Sequence, residues 1–144
     1  MGKKGAKPPP AGTPTALDPA ALATAVRQFN AWRFWDCHET LEDLWRQEET
    51  ALADLYQGLI KAAAGFHHLL RGNHRGARLL LSGALSLLGP FPPRCLGLDL
   101  AALREGIGRC LRELDALGPQ GIGRFDLSLV PTIEYRPEEA DAPA

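Results

Sequence analysis

Apolar residues recur along this chain at spacings of three and four, in successive stretches separated by Gly, Pro and Asn. That spacing puts them on one face of an α-helix, and it predicts about five helices. Asp18 and Pro19 open the first as N-cap and first helical residue, with Leu22, Val26 and Phe29 facing inward. FWDCHETLEDLW, Phe34 to Trp45, forms the second, with Cys37, Leu41, Leu44 and Glu48 on one stripe. The third and longest runs from about Thr50 to Arg71 on a stripe of Leu52, Leu55, Tyr56, Leu59, Ala63, Phe66 and Leu70. Gly72-Asn73 closes it as a left-handed cap. HRGARLLLSGALSLLG is the fourth, turning Ala77, Leu80, Leu81, Ala84 and Leu88 inward. GPFPPRCLG cannot continue a helix and is expected to be a loop. Asp99 caps the fifth, whose core face is Leu103, Ile107, Cys110, Leu111, Leu114 and Leu117, and Gly118-Pro119 ends it. FDLSLVPTIEY is expected to be extended and to pack back on the helices. The fold class expected is all-α, a single-domain bundle.

Composition sets the limits of that domain. MGKKGAKPPPAGTPTA holds three of the chain's four lysines among glycines and prolines, which cannot form a packed element. Residues 1–17 are therefore expected to be a disordered basic tail, 18–135 the helical bundle, and 136–144 a frayed end. The opening stretch has no apolar h-region, so it does not read as a secretory signal. No uninterrupted run of about 18 apolar residues offers a membrane span. A soluble, cytoplasmic protein is expected.

A formal net charge of −1 gives no general attraction to nucleic acid or to an anionic membrane. Cys37, Cys95 and Cys110 are odd in number and lack C-x-x-C spacing. They form neither a disulfide framework nor a zinc knuckle, which fits a reducing compartment.

Candidate chemistry sits on the second and third helices. His38, Glu42 and Trp45 share a narrow sector beside the apolar stripe, while Glu39, Asp43 and Glu49 point away. An imidazole and a carboxylate at i, i+4 have Cβ atoms about 6 Å apart, which suits a hydrogen bond or two ligands on one cation. Gln57, Lys61 and His68 share a sector of the third helix, with the small Ala64 and Gly65 admitting a close neighbour. Consecutive helices pack as antiparallel neighbours, so these two sectors are expected to face each other.

One reading then makes His38, Glu42 and His68 ligands of Zn, Mn or Fe, with a position left for water. Gln57 orients a ligand, Lys61 attracts an anionic small molecule, and the centre is that of a metal-dependent hydrolase. The other reading makes the His/Glu pair a structural hydrogen-bond network in a non-catalytic interaction or scaffold bundle. Lys61 weighs toward the second, because a cation in that sector repels a metal.

The remaining candidates are blander. Cys37 lies on the apolar stripe and reads as a core cysteine, not a nucleophile. His67 reads as a core histidine at the edge of the Leu/Phe stripe, and His74 as exposed. Arg71, Arg75 and Arg78 share a face, but no aromatics interleave with them to stack bases, so nucleic acid is not expected. Trp32 and Trp35 are either core or, if exposed, an apolar patch suited to a partner or to a homo-oligomer.

With H-x-x-x-E-x-x-W at His38, Glu42 and Trp45, QGLI from Gln57 to Ile60, RGN from Arg71 to Asn73 and GLDL from Gly97 to Leu100, the span from about Phe29 to Leu103 resembles domain-of-unknown-function family 309. The resemblance implies a small all-α prokaryotic protein and a metal role for His38 and Glu42, and it names no substrate. Lys61 stands where that pattern leads one to expect glutamine, and His67 where it leads one to expect an aromatic ring.

Overall fold

A computed structural model describes residues 16–137. The tails expected over 1–17 and 136–144 lie almost wholly outside the described residues. Five α-helices make up the bundle: α1 (Pro19–Asn30), α2 (Phe34–Gln47), α3 (Leu52–Leu70), α4 (His74–Leu88) and α5 (Leu100–Leu117). The all-α expectation holds. Asp18, Asn73 and Asp99 each accept a backbone N–H from the first turn of α1, α4 and α5, at 3.1, 2.9 and 3.0 Å. Such caps satisfy donors that a helix start otherwise leaves unpaired.

Packing follows chain order. Helix α1 lies on α2, α2 on α3, α3 on α4 and α4 on α5. The core joins the inward stripes of all five, with Leu22, Tyr56, Phe66, Leu81 and Leu103 fully buried. Glycines on α3 set how closely α4 approaches: a Cβ at Gly58 or Gly65 would fall 2.7 Å from Leu88 or Leu81. These two glycines of α3 therefore face α4.

Three details depart from the sequence reading. At the end of α3 the inward position is Leu69, 4% exposed, while Leu70 is 40% exposed, because the buried sector steps three residues on from Phe66. Within GPFPPRCLG and the residues after it, β1 (Arg94–Cys95) pairs antiparallel with β2 (Leu98–Asp99). Their turn holds Leu96 and Gly97 at φ 56° and 81°, as a tight hairpin connection needs. A 3-10 turn, Pro119–Arg124, follows α5, and the stretch expected to be extended, Phe125–Tyr135, opens with a second one, Leu127–Leu129. Only after Val130 does it run extended, where Tyr135 bridges Leu98 and adds to the hairpin.

Candidate functional site

Helix α2 presents an aromatic and imidazole strip to solvent. The Trp35 indole is 52% exposed and lies flat on the His38 ring one turn later, with centroids 4.8 Å apart and planes 13° apart. On its other contact Trp35 meets His67 of α3 at 5.4 Å, and His67 meets His68 edge-on at 5.8 Å. Burial, then the positive charge of Arg71, His68 and His38, hold His67 below the usual imidazole range.

The structure does not gather the three predicted metal ligands. Arg46 donates to Glu42 at 3.1 Å on the solvent side of α2. His68 Nδ1 lies 3.0 Å from the Asn73 amide nitrogen, beyond the end of its own helix. His38 forms no hydrogen bond with Glu42, and its Nδ1 is buried without a partner. The spacing permits a His38–Glu42 bond, yet stacking on Trp35 fixes the imidazole and Arg46 takes the carboxylate. Among the described residues no group of three or more His, Cys, Asp and Glu side chains is placed to hold a metal ion.

The reason lies in which helix each face of α3 meets. A Cβ on Gly83 of α4 would sit 3.1 Å from Lys61 Cδ, and one on Gly76 of α4 would sit 3.1 Å from His68 Cγ. The sector of Gln57, Lys61 and His68 thus turns toward α4. One residue earlier, about 100° around the helix, His67 turns toward α2. The histidine that shares a surface with His38 is His67, which the sequence reading had set in the core. Its departure from the aromatic expected there was the available signal. Trp45 is half-buried against the core beside Glu42.

Cys37 is buried and its thiol is pushed up to about 12 by burial, so it is a core residue, as expected. Cys110 is pushed to about 12 for the same reason, and Cys95 is raised too. None supplies a thiolate.

Of the two tryptophans that are core or patch by sequence, Trp32 is held in an unusual backbone conformation. Helix α1 ends with Trp32 N–H donating to Phe29 O at 3.0 Å and Arg33 N–H to Gln28 O at 2.8 Å. Helix α3 ends with the same pair of bonds, Gly72 to Leu69 at 3.0 Å and Asn73 to His68 at 2.9 Å. Both are Schellman caps, whose left-handed position glycine normally fills. Gly72 does so at φ 76°, but at α1 the position belongs to Trp32, at φ 62° and 39% exposed. Its indole stacks at 6.5 Å on Phe34, which packs on Phe66 of α3. Two partly exposed indoles, three half-buried imidazoles and the exposed Leu70 thus occupy the turn before α2, its head and the end of α3.

Comparison with known proteins places this geometry in a family. The model of a domain of unknown function, DUF309, matches residues 22–80. A protein of Bacillus subtilis (strain 168) described as uncharacterized protein YpuF is 31% identical over 126 residues, covering 85% of this chain and 70% of the relative. The matched span contains α2 and α3 and both sets of candidate residues.

Proposed function

The chain belongs to the DUF309 family, and from that premise we propose that it is a non-catalytic bundle that associates with a second copy of itself through Trp32, Trp35, His67 and Leu70. One observation carries the reading: Trp32 occupies a glycine position, in a conformation that costs a side chain about 1–2 kcal/mol, and keeps a bulky ring partly in water. Stability alone favours a small residue there. Aromatic rings on a rigid support are also the usual anchors of protein contacts.

A second copy suits the patch because its surroundings carry both signs. Arg33 and Asp36 pair at 2.9 Å beside Trp32 and Trp35, and Arg71 follows Leu70. A two-fold contact needs a self-complementary surface, and a chain of net charge −1 opposes it little. Sedimentation equilibrium over a wide concentration range tests this. A reversible dimer that Trp35→Ala weakens supports it, whereas a wild type monomeric at every concentration removes it.

One atom favours a second reading, the buried and unpartnered Nδ1 of His38. We propose on that ground a divalent-cation site of Zn, Mn or Fe at His38 and Glu42, completed by His68, with hydrolysis as its chemistry. It requires Arg46 to release Glu42, and His68 to leave Asn73 and turn from α4 toward α2. Elemental analysis of the purified protein decides. Near-stoichiometric metal that both His38→Ala and Glu42→Ala abolish supports it, and a chain that takes up none of the added metals rejects it.

A further inference from the structure

Helix α1 and the head of α2 border a second feature, a cleft of about 290 Å³ lined by Thr24, Arg27, Gln28, Ala31 and Arg33. It uses none of the rings of the strip on α2 and α3. Thr24, Arg27, Gln28 and Ala31 recur at helical spacing, so a single face of α1 forms one wall. Arg33, in the turn between the helices, closes the other side.

The polar side chains of the lining offer more donors than acceptors. Arg27 donates through one nitrogen to Thr24 Oγ1 at 3.1 Å and pairs with no carboxylate among the described residues. A guanidinium carries five N–H donors, so most of its fork is unspent. Gln28 Oε1 accepts from Thr40 Oγ1 at 2.8 Å, which leaves its amide nitrogen for the cleft. Arg33 turns Nε and one terminal nitrogen to Asp36 Oδ2, at 3.0 and 2.9 Å, and retains the other terminal nitrogen. The Asp36 carboxylate beside Arg33 is already engaged by it. The C-terminal carbonyls of α1 favour a cation at Arg27, which explains its charge but not the donors grouped around it.

We infer that this cleft binds a small oxyanion, a phosphate or carboxylate group held by the Arg27 fork with Gln28 Nε2 and Arg33 alongside. Charge-assisted, bidentate contacts of a guanidinium to such groups are the strong ones, so Arg27 carries most of the affinity. The probe is inorganic phosphate titrated into the full chain at constant ionic strength, followed by amide chemical shifts, with acetate and chloride as parallel arms. Saturable shifts at Thr24, Gln28 and Arg33 with phosphate or acetate, absent with chloride, are expected. The phosphate and acetate arms tell which oxyanion the cleft prefers.

Arg27→Ala should weaken that binding about tenfold or more, and Arg27→Lys should restore only part of it. Arg109→Ala, on the exposed face of α5, should leave it unchanged. Arg27 is exposed, so its replacement leaves the core intact, and thermal melting of each variant checks this. A response equal in chloride, or one that survives Arg27→Ala in a folded protein, overturns the site.

Discussion

Asn30, the last residue of α1, exchanges two hydrogen bonds with the backbone of Ile133, 103 residues later: its amide nitrogen donates to Ile133 O at 3.0 Å, and Ile133 N–H donates to its Oδ1 at 2.7 Å. A side-chain amide here does the work of a neighbouring β-strand, tying the extended C-terminal segment across the end of α1. Asn30→Ala leaves both backbone groups of the buried Ile133 without partners, at a cost of about 1–3 kcal/mol. Asn30→Asp keeps the acceptor but not the donor and should cost less. Hydrogen exchange reads the effect: the Ile133 amide should exchange much faster in Asn30→Ala, while amides in the middle of α5 change only as far as global stability does. Unchanged protection at Ile133 would show that the tether is idle.

The hairpin offers a second test of how that segment is held. Gly97 sits at φ 81°, and a Cβ there would meet Arg136 O at 2.7 Å. Asp99 N–H to Glu134 O at 3.0 Å and Arg136 N–H to Gly97 O at 2.8 Å carry the pairing on both sides. Gly97→Ala therefore combines a left-handed conformation with a backbone clash and should destabilise by about 2–3 kcal/mol in urea denaturation. Gly123→Ala, where nothing lies within 4 Å of a Cβ, is the control and should shift the midpoint little.

Helices and their ends were legible because the signals are local. Asp18 with Pro19, Asp99 and Gly118 mark boundaries through bonds made within a few residues, and the stripes from Leu22 to Leu114 record which face is buried. Local signals carry no record of which neighbour a face meets. Gly65 announced a close approach, but its partner is Leu81 of α4, and that pairing reversed the roles of His67 and His68. The hairpin was hidden for a related reason. Its first turn position holds Leu96, with a buried side chain, where Asn or Gly would have signalled the turn. Trp32 escaped likewise, as a tryptophan in a cap that glycine normally marks.

That cap yields a mutation that should move one readout and leave the other nearly in place. Trp32→Gly removes a left-handed side chain worth about 1–2 kcal/mol of strain and also loses the contact of its indole with Phe34. The two terms are of similar size, so stability in urea should change by less than about 1 kcal/mol. Gly72→Ala makes the mirror change in the cap of α3, with nothing within 4 Å of the new Cβ, and should cost about 1 kcal/mol. If the Trp32 face is the contact between copies, Trp32→Gly should weaken self-association while leaving the monomer as stable as before. A loss of several kcal/mol in the monomer would instead make Trp32 a core residue and withdraw the argument from its strain.

His67 links the same face to pH. Its folded-state pKa lies below the ordinary 6.5, through burial first and then through Arg71, His68 and His38. The unfolded chain therefore takes up the proton first as pH falls. Stability rises with pH wherever the unfolded state binds more protons, so this histidine's contribution is intact above 6.5 and is lost progressively below it, down to the folded pKa. His67→Gln removes the titration and keeps a polar group against Trp35. Denaturation midpoints measured from about pH 7 to 5 should fall less steeply in the variant than in wild type. Because His67 is only half-buried, the difference in slope should be modest, and salt should reduce the part due to the neighbouring cations. Parallel curves across the whole range would mean that His67 titrates alike in the folded and unfolded chains, and that its place beside Trp35 exerts no control over its charge.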